Sequence, residues 1–161
     1  MKKTLLVVCM VTLSAPNYLY SQGGNLRSIQ VNYTRSAQTD KVMGRAIWIT
    51  DTLLQLYRES FRESEVFDGA DTLWIFRLFL NTHSPAVNFT EYKIDELPYI
   101  TLNSETQVNV SKWIQGESGM PSHHINGYLL FKRADVEVSE MSLVLPDIFG
   151  GTLVFEWSGE K

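Results

Sequence analysis

His123 and His124 are the one place in the chain where two good metal ligands stand side by side, and His83 is the remaining histidine that could join them in space. Adjacent residues of an extended segment point to opposite faces, so the pair cannot converge on one ion unless the chain turns there. The spacing therefore reads as a solvated loop pair; both histidines stay as ligand-contact candidates and no metal is assigned. Glu59, Glu63, Glu65, Asp68 and Asp71 form an acidic cluster with oxygens of the kind Ca²⁺ takes, but without the regular alternating Asp pattern and glycine that fix such ligands. Solubility and turn formation account for it.

Nucleophilic catalysis needs a Ser or Thr held beside a base and an oxyanion site, and the chain has no Gly-x-Ser-x-Gly elbow. No spacing selects a carboxylate pair for sugar hydrolysis from the 18 acidic residues. Gly23-Gly24 and Gly150-Gly151 do not open a helix after a strand, so neither is a phosphate cradle. No catalytic residue and no cofactor is assigned. Trp48, Trp74, Trp113 and Trp157 could build a stacking platform for sugar rings, but Trp74 and Trp157 fall on predicted core faces. Trp113, just before a Gly/Ser-rich loop, is the candidate exposed ring, although the gain from burying so large a side chain favours packing.

The elements that must position these residues are mostly strands. Ile29, Val31 and Tyr33 alternate with polar residues, which predicts a first strand, and residues 45–50 return to β-forming types as a second. Across residues 52–66, Leu53, Tyr57 and Phe61 recur at helical spacing while Leu54 and Leu56 fit alternation; the β surroundings tip the reading toward strand, with one short helix as the alternative. Residues 72–80 are almost continuously apolar, as a central strand buried on both faces would be. Residues 99–102 and 106–110 read as a hairpin, and residues 115–122, rich in Gly, Ser and Pro, as an exposed loop.

Further on, Asn126-Gly127 predicts a turn into three antiparallel strands over residues 128–133, 136–145 and 152–157. Val136 and Val138 share one parity and Met141, Leu143 and Leu145 the other, which predicts a β-bulge near Ser139-Glu140. Leu153, Phe155 and Trp157 share a face and should complete the core. The expected fold is mostly β: a single antiparallel β-sandwich or open barrel of about seven to eight strands with at most one short helix.

Met1-Lys2-Lys3 followed by an apolar run that Pro16 and Asn17 interrupt reads as a secretory leader over residues 1–22, cleaved after Ser21 or Gln22, leaving one domain over 23–161. The run is too short to span a membrane, and no transmembrane segment is expected once the leader is removed. The only cysteine, Cys9, leaves with the leader, so the mature domain has no disulfide and must rely on packing. The chain is acidic, with 14 basic against 18 acidic residues. Losing the leader lysines makes it more so, which argues against nucleic acid and anionic membrane surfaces.

The Lys-Lys leader ending in Ser-Gln, the run from Asp71 to Leu80, and the closing Asn126-Gly127-Tyr128-Leu129-Leu130-Phe131 and Gly150-Gly151-Thr152-Leu153-Val154-Phe155 resemble small uncharacterised exported proteins of the Bacteroidota over most of the mature chain. The resemblance implies a β-sandwich and carries over no catalytic residue. Many such proteins are lipoproteins; here Val8 precedes Cys9 in place of a small residue, so no lipid anchor is expected. The leading functional expectation is a non-enzymatic binding or envelope-accessory protein, periplasmic or extracellular, with an unknown protein or glycan partner. A small secreted hydrolase, marked by a deep polar pocket near His123, His124 or the acidic cluster, and a purely structural envelope subunit are the alternatives.

Overall fold

Two-residue alternation over most of the chain demands sheets with one dry face, and two such sheets pack face to face in the computed structural model, which describes residues 28–60, 67, 69–117 and 120–158. The expected leader, with Glu63, Glu65, Asp68 and the side chain of Glu59, lies outside the described residues. In chain order the elements are β1 (Thr34–Gln38), β2 (Met43–Ile49), α1 (Asp51–Ser60), β3 (Leu73–Asn81), β4 (Tyr99–Leu102), β5 (Thr106–Asn109), β6 (Lys112–Gln115), β7 (His124–Lys132), β8 (Glu140–Leu145) and β9 (Leu153–Ser158). One sheet runs β1-β2-β3-β7-β6 and the other β5-β4-β8-β9, with every pairing antiparallel. The fold is mostly β, and of the two expected architectures it is the sandwich.

The inner faces meet in one core. Trp74, Phe76, Leu78 and Leu80 of β3, with Leu129 and Phe131 of β7, face Ile100, Leu102, Met141, Leu143, Leu145, Leu153, Phe155 and Trp157 of the other sheet. Each fully buried side chain of this size is worth about 1.5–3 kcal/mol relative to exposure. Phe76 sits at the centre, its ring 5.7 Å from that of Phe131 and 5.3 Å from that of Trp157. Trp157 satisfies its indole N–H on the Tyr33 carbonyl at 2.8 Å, and the Arg35 Nε donates to the Glu156 carbonyl at 2.8 Å. These two bonds tie the β1 side of one sheet to β9 of the other.

A second, smaller cluster lies on the outer face of the five-stranded sheet, where Leu53, Leu54 and Tyr57 of α1, with Phe67 and Ala70, cover Ile47, Ile49, Ile75, Tyr128 and Leu130. Residues 51–60 are therefore helical, not the strand that the neighbouring β pattern favoured. The deciding signal is the start: Thr50 caps the helix, its hydroxyl accepting from Leu53 N–H at 3.4 Å, and Asp51 follows at the positive end of the dipole. The buried positions then fall at one helical face, Leu53, Leu54 and Tyr57.

The first expected strand is displaced for the same reason. Residues 28–33 are helical and strand pairing begins at Thr34. Ile29 and Tyr33, four apart, pack on the outer cluster, and Val31 between them is 66% exposed.

The Asn126-Gly127 turn is corrected as well, because both residues lie inside β7. Gly127 serves close packing: a Cβ there would stand 2.5 Å from Trp113 Cη2. The strand over 136–145 begins only at Glu140, so the parity shift is not a bulge; Val136 and Val138 belong to a loop. Asn103 holds that loop in place. Its Oδ1 accepts from Ser139 N–H at 2.8 Å and Glu140 N–H at 3.2 Å, and its Nδ2 donates to the Glu137 carbonyl at 2.7 Å. The strand over 128–133 pairs with β3 and β6 in the five-stranded sheet, away from β8 and β9.

Candidate functional site

Cross-strand register decides which side chains share the outer face of the five-stranded sheet. The ladder pairs Thr34, Ile47, Arg77, Tyr128 and Ile114 in one row, Ser36, Arg45, Phe79 and Asn126 in the next, and Gln38, Met43, Asn81 and His124 in the outermost. The helix α1 covers the Ile49, Ile75 and Leu130 row and reaches Ile47 and Tyr128. Among the described residues, α1 does not extend over the last two rows.

That bare half is a groove of about 700 Å³ lined by Ser36, Gln38, Met43, Arg45, Phe79, Asn81, His124 and Asn126 among others, within the size range of small-ligand sites. Hollows of about 550 Å³ beside Gln30, Thr34, Arg45 and Arg77 and of about 520 Å³ beside Arg77, Gln115, Glu117 and Asn126 share Phe79 with it. Phe79 is the half-buried centre of the face. Arg45 lies over its ring at 4.5 Å and Arg77 at 5.1 Å, with Arg77 also 5.6 Å from the Tyr128 ring. Asn126 is held by donating to the Glu117 carbonyl at 2.7 Å, and its own carbonyl accepts from Gly116 N–H at 2.8 Å.

The histidines separate. His124 stands on the groove face, its Nδ1 2.8 Å from Asn81 Oδ1, and its ring meets that of His83 edge-on at 6.4 Å between centroids. His123 precedes the strand and contributes its backbone, the carbonyl accepting from Thr82 N–H at 3.0 Å. The two neighbours are not brought to one point. Among the described residues no cluster of three or more His, Cys, Asp or Glu side chains is placed to hold a metal ion.

Trp113 is paired with Leu129 and packs half-buried against the inner core, over Gly127. Its edge lines a separate crevice of about 310 Å³ with Phe89, Tyr92, Ile94, Asp95 and Pro121. In that region the Tyr92 hydroxyl donates to the Pro146 carbonyl at 3.0 Å. Burial, with the Asp147 carboxylate as the second cause, pushes the Tyr92 phenol well above its ordinary range.

Sequence reasoning missed Arg45, Arg77, Phe79, Asn81 and Asn126. Arg45 and Phe79 meet only through the β2–β3 register, and the one available signal was the arginine interrupting the apolar run of residues 72–80. No helix among the described residues is long and apolar enough to cross a membrane. No family profile matches the chain, and no curated protein matches it. The solved structure of a protein of unknown function from Burkholderia pseudomallei K96243 is similar over 87% of this chain and 85% of that one, at 11% identity and a TM-score of 0.47.

Proposed function

We propose that the chain is an exported, non-enzymatic binding protein, acting alone or as an accessory part of an envelope assembly, that takes its ligand on the uncovered half of the five-stranded sheet. The observation carrying this reading is the partial cover: α1 buries one half of the outer face and leaves two ladder rows as an open groove of about 700 Å³ whose lining is rich in hydrogen-bonding side chains. His124 lines it, so the sign set for a hydrolase is present in part. Among the described residues, however, that lining contains no carboxylate, so the acid pair a glycosidase needs is not assembled there. The basic and apolar stretch at residues 1–22 supports export.

The test begins with the full chain expressed in a bacterium and fractionated. Export requires a species in the periplasm or medium whose N-terminus follows Ser21 or Gln22; an intact leader in the cytoplasm alone removes the export part. The exported material is then heated with neutral and acidic oligosaccharides, divalent metals and EDTA, because a ligand of the folded state raises the midpoint by mass action. A rise with a saccharide that Asn81→Ala diminishes supports a ligand in the groove. A flat response across the sugars removes the glycan-binding reading.

A further inference from the structure

Two arginines share one aromatic ring on the bare face. Arg45 and Arg77 both stand over Phe79, at 4.5 and 5.1 Å from its centre, which puts their guanidinium carbons within about 10 Å of each other. A guanidinium held over a ring still carries a planar fork of N–H donors that matches the two oxygens of a carboxylate or sulfate. Contact with the ring restricts each side chain, so less freedom is lost when an anion arrives.

Among the described residues neither arginine is in an ion pair, although Glu117 lines one of the hollows with Arg77. The ion pairs among the described residues are Lys93 with Glu96 and Arg133 with Asp51. Arg35 and Arg133 use their Nε on backbone carbonyls, whereas the Arg77 Nε is buried with no acceptor among the described residues. A buried charged donor without an acceptor is costly, and Arg77 also lines the hollows beside the groove, where a ligand oxygen can meet the rest of its guanidinium. The setting adds weight, since a chain of formal net charge −4 places two cations on the one hollow that adjoins the groove at Arg45 and Phe79.

We infer that Arg45 and Arg77 form an oxyanion site in the hollow that adjoins the groove, and that the ligand spanning the two is an acidic saccharide, a sugar bearing carboxylate or sulfate. This rests on the binding function proposed above and names its ligand class. The sugar part follows from the rest of the lining: Ser36, Gln38, Asn81, His124 and Asn126 are hydrogen-bonding groups suited to hydroxyls. The groove runs across four strands, from the edge strand β1 over β2 and β3 to β7, so most of its lining lies on the sheet face and not along the open edge that a peptide joining the sheet would need.

Titration calorimetry of the exported protein tests it with trigalacturonate, its methyl ester, a carrageenan-derived sulfated tetrasaccharide and inorganic sulfate. At least one acidic sugar binds, and tighter than sulfate; where that sugar is trigalacturonate, the ester binds at least tenfold more weakly. Arg45→Met and Arg77→Met each weaken the acidic sugar at least tenfold, and Arg77→Lys, a point charge without the fork, does not restore it. Arg45 is exposed, so Arg45→Met carries the test if Arg77→Met fails to fold. Equal binding by both arginine variants, equal binding of acid and ester, or sulfate binding with no gain from the sugar each overturns the inference. If no acidic sugar binds while a neutral one does, the charge assignment falls and the binding reading stands. If no sugar binds at all, the inference falls together with the glycan-binding reading.

Discussion

At the scale of single residues, Gly127 and Tyr92 make the sharpest claims. A methyl group on Gly127 meets the Trp113 indole and the Ile114 carbonyl, so Gly127→Ala should lower stability by about 1–3 kcal/mol, the usual effect of overpacking. In a Trp113→Leu background the loss should shrink but persist, because the carbonyl remains; urea midpoints of the four proteins give the coupling. Undiminished loss would place the conflict in the backbone alone. Tyr92→Phe removes a buried hydroxyl bonded to the Pro146 carbonyl and should cost about 1 kcal/mol near neutral pH. The sign then changes the gap. Because the folded phenol titrates above its unfolded value, the unfolded chain ionises first once pH passes about 10, and the wild type loses stability that the phenylalanine variant keeps. The difference between the two proteins should therefore narrow from pH 7 to pH 11, and a constant gap would contradict the raised phenol.

At the scale of elements, α1 and the β4–β5 turn show how local chemistry sets structure that alternation alone does not. Leu53 is fully buried beneath α1, so Leu53→Ala should cost about 2–5 kcal/mol, while Thr50→Ala removes the cap for about 1 kcal/mol. The turn between β4 and β5 has positive φ at Asn103 (52°) and Ser104 (60°), with Glu105 N–H donating to the Leu102 carbonyl at 3.0 Å. Asn103 tolerates that backbone and also anchors the loop before β8. Asn103→Gly keeps the first role and loses the second, for about 1–2 kcal/mol, and Asn103→Ala should lose roughly a further 1 kcal/mol for the left-handed backbone. Equal losses would mean that the side-chain bonds alone matter.

For the whole molecule, the inner core and the outer cluster share β2, β3 and β7, so neither can melt while the other keeps its strands. All four tryptophans belong to or pack against the inner core, whereas Leu53 belongs to the outer cluster. Unfolding of Leu53→Ala followed by tryptophan fluorescence and by far-ultraviolet circular dichroism should give coincident single transitions. Separated midpoints would show that the helix-covered face unfolds as a unit of its own. The same sharing fixes the groove, since its rows are the uncovered part of strands whose inner faces are locked in the core.

The sequence by itself determined the mostly β character, the central apolar strand, the hairpin at residues 99–109 and the buried set Leu153, Phe155 and Trp157, because period-two alternation is a local property that one strand displays on its own. It did not determine whether Leu53, Leu54 and Tyr57 form a helix or a strand, since a short apolar segment satisfies both periods and only its cap and its seat on the sheet distinguish them. Nor could it place Gly127 inside a strand, where the reason is a tryptophan fourteen residues earlier on the neighbouring strand. Of the candidate site, His124 was legible as a residue; its setting was not. Arg45, Phe79, Asn126 and His124 become one surface only through the registers of β2, β3 and β7, and that surface is open only because α1 stops short of it. Tertiary structure decided the site because cross-strand pairing is non-local: the row a side chain joins depends on residues far away in the chain.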